Sequence, residues 1–266
     1  MTTETLVDAL RGQEASWNAR PLLRGLYESW FAEICRALSS ATGRSIELGS
    51  GIGTLQRTCP RVEPTDVEPT PWASEVVNAE ALPYGDGALA NLVLVDVFHH
   101  LARPARFLDE AVRTLAPGGR VVVLDPYCSP VSTRAYKRFH HERTDATADP
   151  FADDASIAAE PLASNQARAT LAFFRHADEL AERWPALRVV ERQRLALFAY
   201  PLSGGFTGRQ LVPAALGRGL ARFEGLLGFL APLFAFRCLV VLERTSPASH
   251  AHDLDTELPE REERHA

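Results

Sequence analysis

Short apolar runs alternate with helical periodicity along the first half of the chain. Apolar residues at every third or fourth position predict an N-terminal amphipathic helix, and short apolar runs predict buried strands at 44–48, before Asp66, around 75–78 and at 91–97. A helix over 104–115 with one apolar face follows, and a turn then leads into a strand that ends at Pro126. This order of strands and helices is typical of a doubly wound parallel sheet.

The alternation of strands and helices is interrupted after Pro126 and resumes about sixty residues later. Residues 129–185 are rich in charged and small residues and end in a helical stretch near 166–183, and an insertion of this size predicts a lid. A strand, a helix and a last strand at 236–244 then complete the pattern. We therefore predict an α/β fold with a doubly wound, mostly parallel seven-stranded sheet, a helical N-terminal cap and a lid insertion.

The pattern also sets expected boundaries along the chain. We expect a helical cap over 1–43, a first half of the main domain over 44–128, the lid over 129–185 and the last strands and helix over 186–245. The tail 246–266 is polar and is expected to be disordered. The apolar stretch 225–242 is interrupted by Pro232 and Arg237, which favours the end of a helix and a buried strand over a membrane span.

Composition narrows the class of protein. A chain of 266 residues with 46% hydrophobic residues suits one sizeable domain, and a net charge of −6 without any basic stripe argues against nucleic acid and favours small molecules. The four cysteines lie far apart without metal-ligand spacing, so we expect reduced thiols, no metal and no disulfide. The N-terminus lacks the pattern of a signal peptide, which predicts a cytoplasmic protein. Oligomeric state stays open.

The stretch ELGSGIG at 47–53 carries the first candidate chemistry. Gly49, Gly51 and Gly53 follow a strand and precede a helix, where glycine lets the backbone approach a ligand and the helix start favours negative charge. The spacing GxGxG differs from the GxGxxG of dinucleotide folds. Glu47 can meet the amino group of an amino-acid-like cofactor. An ordinary turn at a strand end is the alternative.

Three later segments extend this motif: NAEALPYGDGALANLV at 78–93, FHHL at 98–101 and LAPGGRVVVLDP at 115–126. With the glycine stretch, they resemble in content and order the class I S-adenosylmethionine-dependent methyltransferases, in particular the small-molecule, methyltransferase type 11-like group. The resemblance is close over about 44–126 and loose beyond. It implies a Rossmann-like methyltransferase fold that binds S-adenosyl-L-methionine.

The resemblance also implies roles for particular residues. It implies that Gly49, Gly51 and Gly53 form the turn beneath the cofactor and that Glu47 and Asp96 contact its methionine end. It also implies that Asp66 binds the ribose and that the adenine lies beside Asn78, Ala79 and Glu80. The family often has Asp where Asn78 stands, which changes an acceptor-only group into an amide. Trp72 suits either a wall beside the adenine or a core position.

The function implied is methyl transfer to a small or lipid-like acceptor, with oxygen preferred over carbon and nitrogen as the acceptor atom. His140 and His141 are the candidate catalytic residues, because a hydroxyl needs a proton acceptor and they lie in the lid; a solvated helix face is the alternative. His99 and His100 are expected mainly to pack or hydrogen-bond around the site. A non-catalytic cofactor- or partner-binding protein is the second hypothesis, and a nicotinamide-dependent oxidoreductase is disfavoured by the glycine spacing.

Overall fold

Seven strands form a single sheet in the computed structural model, which describes residues 3–139, 142–160, 163–206 and 208–246, with side chains from residue 6 onward. The strand order is β3-β2-β1-β4-β5-β7-β6. The strands are β1 (Arg44–Leu48), β2 (Val62–Asp66), β3 (Glu75–Val76), β4 (Leu89–Val95), β5 (Leu115–Pro126), β6 (Leu187–Leu195) and β7 (Arg237–Arg244). β7 is antiparallel to both its neighbours and the other pairs are parallel, so the sheet is mostly parallel, as the sequence predicts.

Helices cover both faces of this sheet. The α-helices are α1 (Thr3–Ala19), α2 (Pro21–Ala37), α3 (Thr54–Thr58), α4 (Pro104–Thr114), α5 (Pro130–Phe139), α6 (Ala155–Ala159), α7 (Arg168–Thr170), α8 (Ala177–Arg183), α9 (Ala199–Ser203), α10 (Ala214–Glu224) and α11 (Ala231–Phe234). Two 3₁₀ segments, Phe98–His100 and Gly225–Leu230, and a π-helical turn, Leu171–Arg175, complete the described elements.

The central strands are apolar because both of their faces are covered. In β4, six of the seven residues are buried, and β5 is buried along its second half. The connection between β2 and β3 is short: residues 67–74, all described, contain no helix, as the prolines of that segment predict. This arrangement brings the carboxyl ends of β1, β2 and β4 to one edge of the sheet, where the glycine turn lies.

Two helices, where the sequence analysis recognised one, precede the sheet. The predicted helix is α2, whose buried side chains include Leu23, Leu26, Trp30 and Ile34. The additional helix α1 is mostly polar and has weak amphipathic periodicity, which explains why the pattern did not reveal it. Within α1, Leu10 is buried in the same apolar cluster as α2.

The expectation of four reduced thiols is wrong for one pair. Cys35 of α2 and Cys59, which follows α3, form a disulfide with a Cα–Cα distance of 5.8 Å. The two residues are separated by 24 positions, and only the packing of α2 beside α3 brings them together. Cys128 and Cys238 are free and buried, as expected.

Some sequence-based expectations lie outside the described residues. His140 and His141 are among them, and so is the tail beyond residue 246. Within the described ranges, none of the helices has the length and the apolar character needed to cross a bilayer.

Candidate functional site

The glycine turn has the backbone that its sequence predicts. Gly49, Gly51 and Gly53 have φ values of 67°, 53° and 63°, in the left-handed region that favours glycine. A Cβ atom on Gly49 would lie 2.6 Å from Cγ2 of Val97, so the turn and the segment after β4 are in close contact. The turn is therefore packed directly against the segment that follows β4.

Glu47 is a buried carboxylate that lacks a complete set of partners. It is 3% exposed, and its Oε2 accepts no hydrogen bond from the described residues. Burial, with a smaller contribution from the charge of Asp66, raises the pKa of Glu47 to about 8. A cationic amino group placed here would provide the missing donor and the compensating charge, so Glu47 fits the amino-acid end of S-adenosylmethionine.

Asp66 ends β2 and connects that strand to the glycine turn. Its Oδ2 accepts from the N–H of Gly51 at 3.0 Å, and its Oδ1 accepts from the N–H of Val67 at 2.8 Å. The residue is 8% exposed, and burial raises its pKa despite these hydrogen bonds. Because each carboxylate oxygen can accept more than one hydrogen bond, Asp66 can hold the turn and still accept from two ribose hydroxyls.

The loop after β3 places its three candidate residues differently. Ala79 is buried, whereas Asn78 is exposed and uses its side-chain oxygen to accept from the N–H of Glu80 at 2.8 Å. The carboxylate of Glu80 accepts from the backbone N–H of Arg103 at 2.6 Å and from its Nε at 2.8 Å. Glu80 therefore holds the start of α4, and the structure gives it this role in addition to the one implied by the family.

Asp96 joins the end of β4 to distant parts of the chain. It follows β4 with φ 58°, a conformation that Asp tolerates better than most residues. Its Oδ2 accepts from the hydroxyl of Tyr27 at 2.7 Å, and its Oδ1 is paired with Arg237 of β7. Arg237 is 2% exposed and lies 5.5–5.9 Å from the ring centres of Tyr27, Trp30 and Tyr200.

A buried network surrounds His99, three residues after Asp96. His99 Nδ1 donates to Asp125 at 3.0 Å, and its Nε2 lies 3.5 Å from Glu142. Burial by itself would lower the pKa of His99, but the two carboxylates outweigh burial and raise it to about 10. His99 is thus an imidazolium held between two carboxylates. Glu142 also accepts from Ser164 at 2.6 Å and from Gln166. Burial alone would raise the pKa of Glu142, but its interaction with His99 and the hydrogen bond from Ser164 hold that pKa well below the usual range.

His100 is the neutral neighbour of this imidazolium. Its ring centre lies 4.2 Å from that of His99, and burial together with the charge of His99 lowers its pKa to about 4. Its Nδ1 lies 2.9 Å from the carbonyl oxygen of Ala163. A carbonyl oxygen can only accept, so Nδ1 carries the proton and Nε2 of His100 presents a lone pair.

The N-terminal helix lies over the glycine turn. Leu10 of α1 is 7% exposed, and its Cδ2 would lie 3.7 Å from a Cβ atom on Gly51. Nearby in α1, Trp17 is 3% exposed and stacks with Phe31 of α2 at 6.2 Å. α1 therefore covers the turn that the sequence assigns to the cofactor.

The sequence analysis left several residues of these buried networks without a role. It gave no role in the site to Tyr27, Arg237, Asp125 or Glu142. Asp125 is the second-last residue of β5, and its side chain is 0% exposed. A buried carboxylate at the end of a central strand is a usable signal, but its partner His99 is 26 residues away and only the fold shows the pairing.

The same network could hold a cation, which the sequence analysis did not expect. His99, His100 and Glu142 each offer a ligand atom, and these atoms lie within 4.8 Å of one another. Two imidazoles and one carboxylate are a common ligand set for divalent transition metals. However, His99 and Glu142 already interact with each other, so the cluster is stabilised without an ion.

The comparison with protein families identifies the class. Residues 47–123 match the family model described as a methyltransferase domain. The resemblance stated from the sequence is thereby confirmed: this segment belongs to the class I S-adenosylmethionine-dependent methyltransferases. The methyltransferase domain uses S-adenosylmethionine, in agreement with the expected cofactor. No curated protein sequence matches the chain.

Solved structures agree with the fold. A chain in the complex between the Haloferax volcanii Trm112 methyltransferase activator and a putative methyltransferase has a TM-score of 0.51 and 14% identity, over 94% of this chain and 100% of that chain. Geranyl diphosphate C-methyltransferase from Streptomyces coelicolor A3(2) has a TM-score of 0.47 and 14% identity, over 82% and 79% of the two chains. At these identities the first likeness shows the fold alone, and the second carries no further weight.

Proposed function

We propose that this protein transfers the methyl group of S-adenosylmethionine to a hydroxyl of a small or lipid-like acceptor. The observation that carries the proposal is the hydrogen bond from Nδ1 of His100 to the carbonyl oxygen of Ala163, which leaves a lone pair on Nε2. His100 stands four residues after Asp96, and burial together with the charge of His99 lowers its pKa, which favours the neutral imidazole. A hydroxyl is a weak nucleophile until a nearby group accepts its proton. Neutral imidazole is a suitable acceptor for that proton.

The cofactor residues expected from the sequence fit this proposal. Glu47 would meet the amino group, Asp66 the ribose hydroxyls, and the turn of Gly49, Gly51 and Gly53 would lie beneath the cofactor. Asn78 and Ala79 would lie beside the adenine, with Glu80 fixing their loop through Arg103. S-adenosylmethionine supplies an activated methyl group when bound, so the chain's own task is to align the acceptor, exclude water and accept a proton.

The acceptor side is aromatic and has a fixed charge. Tyr27, Trp30 and Tyr200 lie around Arg237, and the ring centre of Tyr27 lies 5.5 Å from that of Phe206. Aromatic faces favour an apolar acceptor, and the pair of Arg237 and Asp96 holds α2 and β7 against the end of β4. These contacts support a hydrophobic acceptor with one polar reacting group.

Two further histidines are candidates for the group that accepts the proton. His140 and His141, proposed from the sequence, precede Glu142 in the chain, and Glu142 contacts His99. The contacts of the described residues favour His100, because its protonated nitrogen is fixed by Ala163. A catalytic experiment can separate the three histidines.

That experiment compares His100→Ala, His140→Ala and His141→Ala for methyl transfer from labelled S-adenosylmethionine to a panel of apolar alcohols and phenols. We expect His100→Ala to lower the rate about 10²–10⁴-fold while the affinity for S-adenosylhomocysteine stays unchanged. The wild-type rate should fall as pH drops toward 4, where His100 gains a proton. A parallel assay with a chelator tests for a metal in the His99, His100 and Glu142 cluster.

Each outcome points to a different conclusion. Loss of activity only in His140→Ala or His141→Ala would transfer the role to the lid histidines. Cofactor binding without turnover on any acceptor would favour the second hypothesis, a non-catalytic cofactor- or partner-binding protein. We keep a cytoplasmic location and the boundaries 1–43, 44–128, 129–185 and 186–245 as proposals; truncation at residue 41 tests the first boundary by its effect on turnover.

A further inference from the structure

The segment 211–233 presents an unusual concentration of apolar side chains to solvent. Of the ten large hydrophobic residues that are exposed in the described chain, six belong to this segment: Leu211, Leu216, Phe223, Leu226, Phe229 and Leu233. Their exposed fractions run from 45% to 76%. We call these six side chains the apolar face. Single exposed apolar residues are common, but six within 23 positions indicate a binding surface.

The segment that carries the apolar face is anchored on its opposite side. Gly217 of α10 is packed so closely on α2 that a Cβ atom there would lie 2.4 Å from Cδ2 of Leu22. Glu224 is 8% exposed and accepts the backbone N–H groups of Leu197 at 3.0 Å and Phe198 at 2.7 Å. The segment therefore packs on the rest of the protein through the side that carries Gly217 and Glu224, and the apolar face is exposed to solvent.

The charge around the apolar face is positive. Arg209, Arg218 and Arg222 are exposed, and none of the three has an ion-pair partner in the described part of the chain. The only carboxylate between residues 208 and 233 is Glu224, which is turned inward. Three arginines and one glutamate give residues 208–233 a net charge of +2, in a protein whose net charge is −6.

We propose that the apolar face and its three arginines bind the surface of an anionic lipid bilayer. Phe and Leu side chains flanked by arginine are the composition of helices that lie in the membrane interface, with the apolar side chains at the boundary between headgroups and acyl chains. Each arginine near an anionic surface adds about 1 kcal/mol of attraction. The surface is thus complementary to lipid in both its apolar and its charged parts.

A second copy of the chain is a poorer occupant of the same surface. A two-fold dimer through the apolar face would bring the arginines of both copies into one interface, where like charges repel. An anionic membrane instead provides phosphate groups that accept from guanidinium groups. The charge pattern therefore favours lipid.

The apolar face lies beside the proposed acceptor side. α10 packs on α2 and α9, which carry Tyr27 and Tyr200 near Arg237. Binding of the membrane here would bring a lipid-like acceptor close to the site; this link rests on the proposed function, whereas membrane binding itself does not.

Vesicle co-sedimentation of the full chain tests the proposal, with vesicles of phosphatidylcholine alone and of phosphatidylcholine mixed with phosphatidylglycerol. We expect the wild type to bind the anionic vesicles and to be released by salt. The double variants Phe223→Ser with Phe229→Ser, and Arg218→Glu with Arg222→Glu, should each lower the partition coefficient more than about tenfold. His100→Ala should bind vesicles like the wild type, which separates this result from the fate of the proposed reaction.

Matched controls use exposed residues elsewhere. Val67→Ser with Val76→Ser removes two exposed apolar side chains away from the apolar face, and Arg106→Glu reverses an exposed charge on α4. These variants should bind vesicles normally, and all variants should keep the thermal midpoint of the wild type within a few degrees. Equal losses in controls and test variants, or no binding by the wild type, would overturn the proposal. A dimer in light scattering that Phe223→Ser with Phe229→Ser dissociates, without vesicle binding, would assign the apolar face to a second copy instead.

Discussion

The cofactor side and the acceptor side of the proposed site are constructed in different ways. On the cofactor side, a continuous stretch of backbone does most of the work: three glycines with positive φ and one carboxylate, Asp66, that accepts from the N–H of Gly51. On the acceptor side, side chains from distant parts of the chain meet, as when Tyr27 of α2 and Arg237 of β7 both bind Asp96. Local sequence specifies the first side, and tertiary packing specifies the second.

This difference has an energetic consequence. A backbone turn is determined by residues that are neighbours in sequence, so single substitutions act mainly on the turn and on its ligand. A buried network of charged groups depends on every member, so the loss of one leaves another charge without compensation. We therefore expect substitutions on the acceptor side to affect stability more, and substitutions on the cofactor side to affect ligand affinity more.

The largest expected effect is that of Asp96→Asn, which keeps the shape of the side chain and removes its charge. Arg237 would remain buried without its counter-ion, and we expect a loss of about 3 kcal/mol of unfolding free energy. This is the lower end of the range for buried pairs, since the side chain of Asp96 keeps 31% of its surface exposed. Urea denaturation measures the change.

The control for this variant is an exposed ion pair in the same sheet. Arg188 lies 3.5 Å from Glu243, and its side chain is 67% exposed, so Arg188→Gln should cost less than about 1 kcal/mol. Equal losses for Asp96→Asn and Arg188→Gln would show that the pair of Asp96 and Arg237 does not hold the acceptor side together.

The next prediction compares alanine substitutions at two glycines that have nearly the same backbone conformation. Gly49 and Gly87 have φ values of 67° and 66°, so alanine suffers similar strain at both, about 1–2 kcal/mol. Alanine at Gly49 would also press on Val97, whereas nothing lies within 4 Å at Gly87. We expect Gly49→Ala to cost about 1–3 kcal/mol more than Gly87→Ala, and to weaken S-adenosylhomocysteine binding in calorimetric titration. The same affinity in both variants would remove the turn from the cofactor site.

For Asp66→Ala we expect a smaller effect than for the two preceding variants, and we expect it on the affinity for S-adenosylhomocysteine. The change removes the acceptor of the Gly51 N–H and, by our proposal, of the ribose hydroxyls, so S-adenosylhomocysteine should bind more weakly by about 1–2 kcal/mol. Asp86→Ala is the control, because Asp86 is 83% exposed and pairs with Arg113. Wild-type affinity in Asp66→Ala would contradict its assignment to the cofactor.

Sequence periodicity predicted most of the sheet because strands and their turns are local features. The run at 44–48 is β1 as expected, and the helix predicted over 104–115 is α4 with Phe107, Leu108 and Ala111 buried. The glycine turn was predictable for the same reason. Its positive φ values follow from residue type alone.

Sequence periodicity did not show whether the apolar side of a helix packs on the core or is exposed to solvent. α10 has the amphipathic pattern of α4, yet Leu216 and Phe223 are 64% and 53% exposed, because Gly217 and Glu224 are the residues that face inward. The network of His99, Asp125 and Glu142 and the disulfide between Cys35 and Cys59 escaped prediction for a related reason. Each of these contacts depends on how separate elements pack.

The last prediction uses the two adjacent histidines, whose pKa values move in opposite directions. The pKa of His99 in the folded protein is raised to about 10, so the stabilisation by its two carboxylates is complete below about pH 6.5 and is lost as pH rises toward 10. The pKa of His100 is lowered to about 4, so its contribution changes only on the acid side of pH 6.5. Between pH 7 and 8.5, His99→Gln should therefore flatten the fall of unfolding free energy with pH by up to about 1.4 kcal/mol per pH unit. His100→Gln should leave that slope unchanged, and since Cys128 and Cys238 are present in both variants, their titration cancels in the comparison. Urea denaturation at several pH values measures both slopes, and parallel slopes in the two variants would mean that His99 is not an imidazolium in the folded protein.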